Sequence, residues 1–277
     1  IFKNMTKNDA INDNEWYIFK MEKSFEDKAW FTSIMPKDVD TIIDFWCANW
    51  AFISYLQKDF PNYNYIWIDN NYSFFHEAQD KWFEVFWTIT DLVENTRANN
   101  IKYNPNSTLL LLLNSVLHEV YSYTDPLKFR DEVQLLNPKY IAIRDMCPWW
   151  ETNTEKMFDV IQKDIKGNKV KEKMYSEFVK YRWSIKDRDT LIHYLLKKDY
   201  LDNWNREVAE NYLPISKNWF EEILKINWYD VKISNPYLLE FLKNKRIHDF
   251  SWQNNKDIEQ LISGLSTHIK IFVERKQ

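Results

Sequence analysis

Two short apolar runs, each closing on a carboxylate, constrain the fold of this chain more than any other feature. The run from Thr41 to Phe45 carries Asp44 at its end, and a stretch with helical spacing follows at 51–58. The run from Tyr65 to Asp69 repeats the pattern, with a helix predicted from about Ser73. Five consecutive leucines within 108–113 are too few to span a membrane and predict a central strand buried on both faces.

The remainder of the chain continues this alternation of strands and helices. Further strands are predicted at 83–87, 140–143, 229–234 and 267–274, and further helices at 126–136 and 236–244. Residues 151 to about 226 have an almost entirely helical pattern, which predicts an insertion or cap. Alternating strands and helices imply a parallel sheet with right-handed crossovers.

Glycine and tryptophan occur in unusual numbers. A chain of 277 residues would contain about 19 glycines at the average frequency of about 7%, but this one has 2, together with 14 tryptophans. Trp82 follows a predicted helix end, and Trp228 follows Asn227 directly before a predicted strand. Both are positions where φ is commonly positive, a conformation that glycine tolerates and a bulky residue does not.

We hypothesise that many of these tryptophans are glycines in the organism, written as Trp because UGA codons were read with the wrong genetic code. UGG codons at Trp46, Trp50 and Trp67 would contradict this. Trp204, inside a helical pattern, is interpreted as an authentic aromatic residue. The alternative is a protein that is simply rich in tryptophan, with an aromatic surface for sugars or a membrane interface.

The turn after the first strand contains the most informative motif. It reads Asp44, Phe45, Trp46, Cys47, Ala48, Asn49 and Trp50, and Asp69 ends the second strand 19 residues after Trp50. With glycine at 46 and 50, the turn resembles the glycine-rich first motif of class I S-adenosylmethionine-dependent methyltransferases, and the resemblance extends over residues 40–146. Glycine is needed there because the backbone lies against the ligand and a Cβ would collide with it.

The resemblance implies a role for each matching position. Asp44, Trp46, Cys47, Ala48, Asn49 and Trp50 would border the methionine part of S-adenosyl-L-methionine, Asp69 with Asn70 would bind the ribose hydroxyls, Asp91 and Leu92 would border the adenine, and Asn114 and Ser115 would line the methyl-transfer side. His118, next to Glu119, is the candidate general base. Each has a structural alternative, since a strand-end Asp is often a helix cap and a buried histidine is often structural. Arg144 and Asp145 would contact the acceptor or form an ion pair. No metal site is predicted.

The predicted fold class is α/β, a doubly wound, mainly parallel seven-stranded Rossmann-like methyltransferase sheet with a helical insertion before the last two strands. The predicted segments are an N-terminal extension (1–35), the S-adenosylmethionine-binding core (36–150), the helical insertion on the acceptor side (151–226) and the final strands (227–277). The predicted function is in-line methyl transfer to an unidentified acceptor. The alternative is a non-catalytic binding module that retains the fold, preferred if Trp46 and Trp50 are genuine.

Two competing functions fit the sequence less well. A dinucleotide-dependent dehydrogenase shares the glycine-type turn and the acidic strand end, but the G-x-G-x-x-G spacing is missing even with glycine restored. Methyltransferases acting on DNA bases are disfavoured, because the fourth strand is followed by neither Asn-Pro-Pro-Tyr nor a Pro-Cys pair.

Charge and cysteine usage bound the partners and the compartment. The net charge is −4, made up of −7 before residue 150 and +3 after it, so the C-terminal part is the better side for an anionic partner. The acceptor can be a small molecule, a protein or a nucleic acid. Cys47 and Cys147, interpreted as unpaired thiols, and the absence of an apolar segment of spanning length favour a cytoplasmic protein without a membrane partner. The chain begins with Ile1 rather than methionine, so we expect a truncated reading frame or a trimmed N-terminus.

Overall fold

A computed structural model describes most of the chain. The described residues are 24–45, 51–81, 83–98, 107–150, 154–182, 188–198, 204–210, 217–226, 228–250 and 255–276.

Seven strands form one sheet in the order β3-β2-β1-β4-β5-β7-β6. Their bounds are β1 Thr41–Phe45, β2 Asn64–Ile68, β3 Glu84–Phe86, β4 Leu109–Asn114, β5 Tyr140–Trp150, β6 Tyr229–Tyr237 and β7 Leu265–Arg275. The pairings β1–β2, β1–β4, β2–β3 and β4–β5 are all parallel. Parallel neighbours require crossover connections, which the intervening helices supply.

Several helices accompany the first five strands, and in the described part of the chain three of them begin at a side chain that accepts from a backbone N–H, namely Asn71, Thr88 and Asp125. The helices are α1 Phe25–Lys28, continued by a 3₁₀ helix at Ala29–Ser33, then α2 Ala51–Asp59, α3 Tyr72–Asp80, α4 Ile89–Arg97, α5 Leu117–Tyr123 and α6 Pro126–Leu136. Helix α6 shows the signals best: the Asp125 side chain accepts from the Leu127 backbone N–H, and Pro126 occupies the first turn. Asn137 ends the helix in the left-handed conformation.

The chain divides into two compact units. The first contains the described residues of Ile1–Asp145, Leu224–Ile233 and Ile271–Gln277. All six residues of β4 are buried, as predicted for a strand covered on both faces. The core of this unit includes Phe31, Ile42, Phe52, Leu56, Leu110, Leu112, Tyr140 and Phe272.

The second unit contains the described residues of Met146–Ile223 and Ser234–Lys270. Helices of this part of the chain are α7 Thr154–Ile165, α8 Lys169–Arg182, α9 Arg188–Lys197, α10 Trp204–Ala209, α11 Lys217–Ile226, α12 Glu240–Asp249 and α13 Asn255–Ser263. A separate apolar core fills the unit and includes Met157, Ile161, Phe178, Leu191, Ile192, Phe250 and Ile262. Among the described helices, none has the length and apolar character that crossing a membrane requires.

The predicted fold class is confirmed. The sheet has seven strands, its first five are parallel, and helices α7–α11 precede the last two strands. The helix expected at 236–244 was wrong at its start, because β6 continues through Pro236 to Tyr237 and the helix begins at Glu240. Strand β5 runs to Trp150 rather than Ile143, and α13 was not predicted. The predicted segments 1–35, 36–150, 151–226 and 227–277 are a different division of the chain from the two compact units, and they stay predictions.

Candidate functional site

The strand order reverses direction between β1 and β4, which lie side by side although they are not consecutive in sequence. In open α/β sheets, ligands bind outside the carboxyl ends of the strands at such a switch point. The polar residues that follow β1, β2 and β4 are therefore the candidate site residues.

Asp44 lies one residue before the end of β1 and is completely buried. In the sheet it stands opposite Trp67 of β2 and Leu112 of β4. The neighbouring turn predicted to border the methionine part, Trp46, Cys47, Ala48, Asn49 and Trp50, lies outside the described residues. The roles proposed for these six residues stay predictions.

Asp69 directly follows β2 and is completely buried. Its Oδ1 accepts a hydrogen bond from the Asn71 backbone N–H at 2.7 Å. The Asn71 side chain in turn caps α3 by accepting from the backbone N–H groups of Ser73 and Phe74, at 3.0 and 3.4 Å. The carboxylate is thus held at the strand end by the turn that starts the next helix. Asn70, predicted to assist Asp69, is exposed, and its role stays a prediction; the sequence prediction did not name Asn71, although an Asn directly before a helix is a recognisable cap signal.

Asp91 lies in the first turn of α4, and its carboxylate is engaged by groups in and directly before this helix. Its Oδ2 accepts from the Trp87 backbone N–H at 3.2 Å, and its Oδ1 accepts from the Asn95 side chain at 3.0 Å. Leu92 beside it is fully buried. This is the helix-start role considered as the alternative, and any contact with an adenine amine would share these oxygens, which is chemically feasible because each has more than one lone pair.

Asn114 ends β4 and is 7% exposed. Its amide nitrogen is buried and has no hydrogen-bond partner among the described residues. A buried donor without an acceptor costs about 1–3 kcal/mol, so such groups call for an explanation, and an unfilled ligand contact is one. This orphan donor lies on the strand that borders the switch point.

Ser115 and Arg144 form a second, partly buried arrangement at the same sheet edge. Ser115 has φ 57°, and its backbone N–H donates to the Arg144 carbonyl at 2.6 Å. The Arg144 guanidinium donates to Ser115 Oγ at 2.6 Å and to Asp27 Oδ2 at 2.7 Å. Positive φ in a residue other than glycine is uncommon, and here the pairing with Arg144 on both backbone and side chain maintains it. The ion pair considered for Arg144 therefore exists, with Asp27 as its partner.

His118, in the first turn of α5, and Asp145, on β5, come together. His118 Nδ1 lies 2.8 Å from Asp145 Oδ1, and Asp145 Oδ2 accepts from the Leu117 backbone N–H at 2.6 Å. Both side chains are buried, whereas the adjacent Glu119 is half-buried. The sequence suggested His118 with Glu119 as the catalytic pair. The geometry gives Asp145 as the carboxylate bonded to Nδ1, a partner 27 residues away that no local spacing could reveal.

Of the tryptophans named above as possible glycines, Trp67 and Trp228 lie among the described residues. Trp228 is 69% exposed and has φ 73°, the conformation predicted for glycine there. Trp67 lies within β2, is completely buried and packs edge-to-face on Phe83 with ring centroids 6.0 Å apart. Its indole N–H has no acceptor among the described residues. Trp82 lies outside them.

Comparison with known proteins gives matches in structure only. No family model and no curated protein matches the chain. Among solved structures, the plantazolicin methyltransferase BamL, solved with a triazolic desmethylPZN analog and SAH, is 10% identical, with 93% of this chain and 86% of that chain covered and a TM-score of 0.46. A SAM-dependent methyltransferase from Archaeoglobus fulgidus is 16% identical, with 94% and 100% covered and a TM-score of 0.46. Mycolic acid cyclopropane synthase CmaA1, complexed with SAH and CTAB, is 11% identical, with 92% and 85% covered and a TM-score of 0.46.

The assignment of the fold rests on the sheet described above, because the identities and TM-scores of these matches are low. Seven strands in the order β3-β2-β1-β4-β5-β7-β6, with parallel pairing from β3 to β5 and the polar strand ends beside β1 and β4, carry that assignment. The chain has the Rossmann-like fold of the class I methyltransferases.

Proposed function

We propose that this chain, with glycine at positions 46 and 50, is an S-adenosylmethionine-dependent methyltransferase. The observation that carries the proposal is the set of buried polar side chains at the carboxyl ends of β1, β2 and β4. Asp44, Asp69 and Asn114 all occupy strand ends around the switch point, and the Asn114 amide nitrogen has no acceptor among the described residues. Such a constellation suits a ligand that offers both hydroxyl donors and polar acceptors.

The residues present fit that cofactor. Asp69 can accept from two vicinal hydroxyls with its carboxylate, and the Asn71 N–H keeps one of its oxygens at the strand end. The Asn114 amide supplies a donor that the protein leaves unused among the described residues. When bound, the cofactor supplies a methyl group already activated by a positively charged sulfur. The protein then has to position the acceptor and exclude water, and a base is needed only if the acceptor loses a proton.

The glycine part of the proposal is supported by the two described tryptophans at suspected positions. Trp228 holds a backbone conformation that glycine adopts without strain, and Trp67 buries an N–H without an acceptor among the described residues. We expect UGA codons at positions 46, 50, 67 and 228. UGG codons at 46 and 50 would overturn this part of the proposal and favour a non-catalytic module that keeps the fold.

Calorimetric titration with S-adenosylmethionine tests the function directly. We expect binding by a Trp46→Gly/Trp50→Gly variant and none by the chain as written, because indoles in the turn occupy or deform the space of the ligand. Absence of binding by the glycine variant would contradict the proposal and favour the module. Binding by the written chain would contradict the steric argument alone.

A pair of carboxylate variants, made in the glycine variant, sharpens the test. Asp69→Ala removes the predicted ribose acceptor, and we expect affinity to fall at least about tenfold, since a hydrogen bond to a charged group contributes about 1.5–3 kcal/mol. Asp131→Ala is the matched control, because this carboxylate lies on the exposed face of α6 and pairs only with the exposed Arg130 among the contacts described here. Equal losses in both variants would argue against a ribose contact at Asp69.

A further inference from the structure

Ser115 continues the chain from β4 in a backbone conformation that side chains rarely adopt. Its φ of 57° lies in the left-handed region, which is unfavourable for a residue with a Cβ. Ser115 directly follows Asn114, the last residue of β4, and α5 begins two residues later at Leu117. The conformation of this one residue therefore sets how the buried end of β4 is oriented relative to the next helix.

Arg144 maintains this turn from the neighbouring strand. The parallel pairing of β4 with β5 places Asn114 directly opposite Arg144. The Ser115 backbone N–H donates to the Arg144 carbonyl at 2.6 Å, and Arg144 Nη1 donates to Ser115 Oγ at 2.6 Å. One residue of β5 thus bonds both the backbone and the side chain of Ser115. Strained conformations persist where the surrounding structure determines them in this way.

Asp27 fixes the same guanidinium through another nitrogen. Arg144 Nε donates to Asp27 Oδ2 at 2.7 Å, and the two side chains are 4% and 23% exposed. Because the nitrogens of a guanidinium lie in one rigid plane, the bond to Asp27 also orients Nη1 toward Ser115, which a lysine ammonium could not do. Asp27 belongs to α1, whose Phe25 packs in the core of the first unit. A helix from the predicted N-terminal extension is therefore connected to the end of β4.

The residue that this connection orients is Asn114, which carries the orphan donor of the candidate site. Its amide nitrogen is buried and has no hydrogen-bond partner among the described residues. A donor that is already fixed binds a ligand more tightly than a mobile one, because less conformational entropy is lost on binding. The backbone at positions 114 and 115 determines where this amide lies.

Resting on the proposed function, we propose that Arg144 is a positioning residue of the cofactor site. It keeps Ser115 in the left-handed conformation and thereby fixes the Asn114 amide for S-adenosylmethionine, while Asp27 fixes the guanidinium. Arg144 acts through the turn and needs no contact with the ligand. The ion pair thus has a role in binding, and α1 becomes part of the site.

Two substitutions of Ser115 test whether the conformation of the turn matters. Ser115→Ala and Ser115→Gly both remove the hydroxyl that Arg144 contacts, but only glycine adopts positive φ without strain. Both are made in the Trp46→Gly/Trp50→Gly variant and titrated with S-adenosylmethionine by calorimetry. We expect Ser115→Ala to bind at least about tenfold more weakly than Ser115→Gly. Equal affinities would overturn the proposal.

A second set of variants in the same background separates positioning from structural support. Arg144→Met should weaken binding about tenfold or more, and Ser115→Gly in the same chain should restore most of it. In Asn114→Ala, which already lacks the amide, Arg144→Met should cause no further loss, a result that a merely structural ion pair would not give. Arg130→Met is the matched control, because this arginine is exposed on α6, and its affinity should stay unchanged. Additive losses, or no rescue by glycine, would contradict the proposal.

Amide hydrogen exchange in the full chain as written tests the turn without the cofactor. Relative to the amide of Leu111 in the centre of β4, Arg144→Met should lower the protection of the amide at position 115 at least about tenfold, and Ser115→Gly should restore it. Asp27→Asn keeps the side-chain shape and leaves Arg144 in place, so it should act in the same direction and replaces Arg144→Met if that variant fails to fold.

Unchanged protection at position 115 in the variants that fold would overturn the role of Arg144. Failure of the glycine variant to bind S-adenosylmethionine would instead refute the proposed function. The exchange measurement would still decide whether Arg144 maintains the turn, so the two failures are distinguishable.

Discussion

Two buried tryptophans, one in each unit, differ in how the protein accommodates the indole N–H. Trp204, in the helical unit, is 7% exposed and donates from Nε1 to Glu177 Oε2 at 2.7 Å. Trp67, in the sheet, is 0% exposed and its Nε1 has no acceptor among the described residues. Buried tryptophan usually finds a partner for its N–H, and of these two indoles only Trp204 has one among the described residues.

The difference shows that burial alone does not identify a residue that suits its site. Both indoles are removed from water and would count equally in a sum of buried apolar area. Only Trp204 has its polar atom satisfied, and it was also the tryptophan interpreted from sequence as authentic. The contrast can be tested by substitution in the chain as written.

The largest effect is expected from Trp204→Ala. Removing a well-packed, hydrogen-bonded indole from the helical core leaves a cavity and costs about 3–5 kcal/mol of unfolding free energy. Urea unfolding followed by circular dichroism measures it. Trp228→Ala is the control, because its side chain is exposed and we expect a change within about 0.5 kcal/mol. A loss below about 1 kcal/mol at position 204 would remove the basis of the comparison.

The paired substitutions Trp204→Phe and Trp67→Phe isolate the N–H. Both retain an aromatic ring and lose similar volume, but the first breaks a hydrogen bond to a carboxylate and the second removes a buried donor that has no acceptor among the described residues. We expect the loss of unfolding free energy at position 67 to be smaller by at least about 1 kcal/mol. Equal losses would mean that Trp67 is as well accommodated as Trp204.

The smallest effect is expected from exchanging side chains at positions of positive φ. Trp228→Gly should raise the unfolding free energy by about 1 kcal/mol, because φ 73° is strained for a side chain with a Cβ. Gly167→Ala is the opposite control: Gly167 has φ 83° and open space where an alanine methyl group would lie, so strain alone should lower stability by about 1 kcal/mol. Changes of the same sign in both would refute the conformational explanation.

Much of the fold could be predicted from the sequence because its signals are local. The buried runs that became β1, β2 and β4 and the capped helix 126–136 all appear in the structure within one or two residues of their predicted bounds. The helix predicted at 236–244 begins only at Glu240, because β6 continues past Pro236 to Tyr237. Helix α13 was missed although the sequence places Asn254 directly before its first residue, and its apolar residues Ile258, Leu261 and Ile262 have helical spacing and join the core of the second unit.

The residues of the candidate site could be predicted where they lie at the end of an apolar run, because such an end is recognisable in the sequence. Asp69 and Asn114 were selected as candidates because a carboxylate or amide at the end of a buried run is visible in the sequence. The alternative role of Asp91 as a local helix-start acceptor was also visible, and its hydrogen bonds to Trp87 and Asn95 exist. The partners of Arg144 and Asp145 were not predictable, because Asp27 and His118 reach them only through packing.

The sequence by itself determined the alternation of strands and helices, the strand-end carboxylates and the conflict between tryptophan and turn geometry, since all three depend on residues within a few positions of one another. Only the tertiary structure decided which carboxylate orients His118 and which indole lacks an acceptor among the described residues. Those relations join residues up to 27 positions apart, and they exist because parallel pairing of β4 with β5 and packing of α8 against α10 bring them within hydrogen-bonding distance.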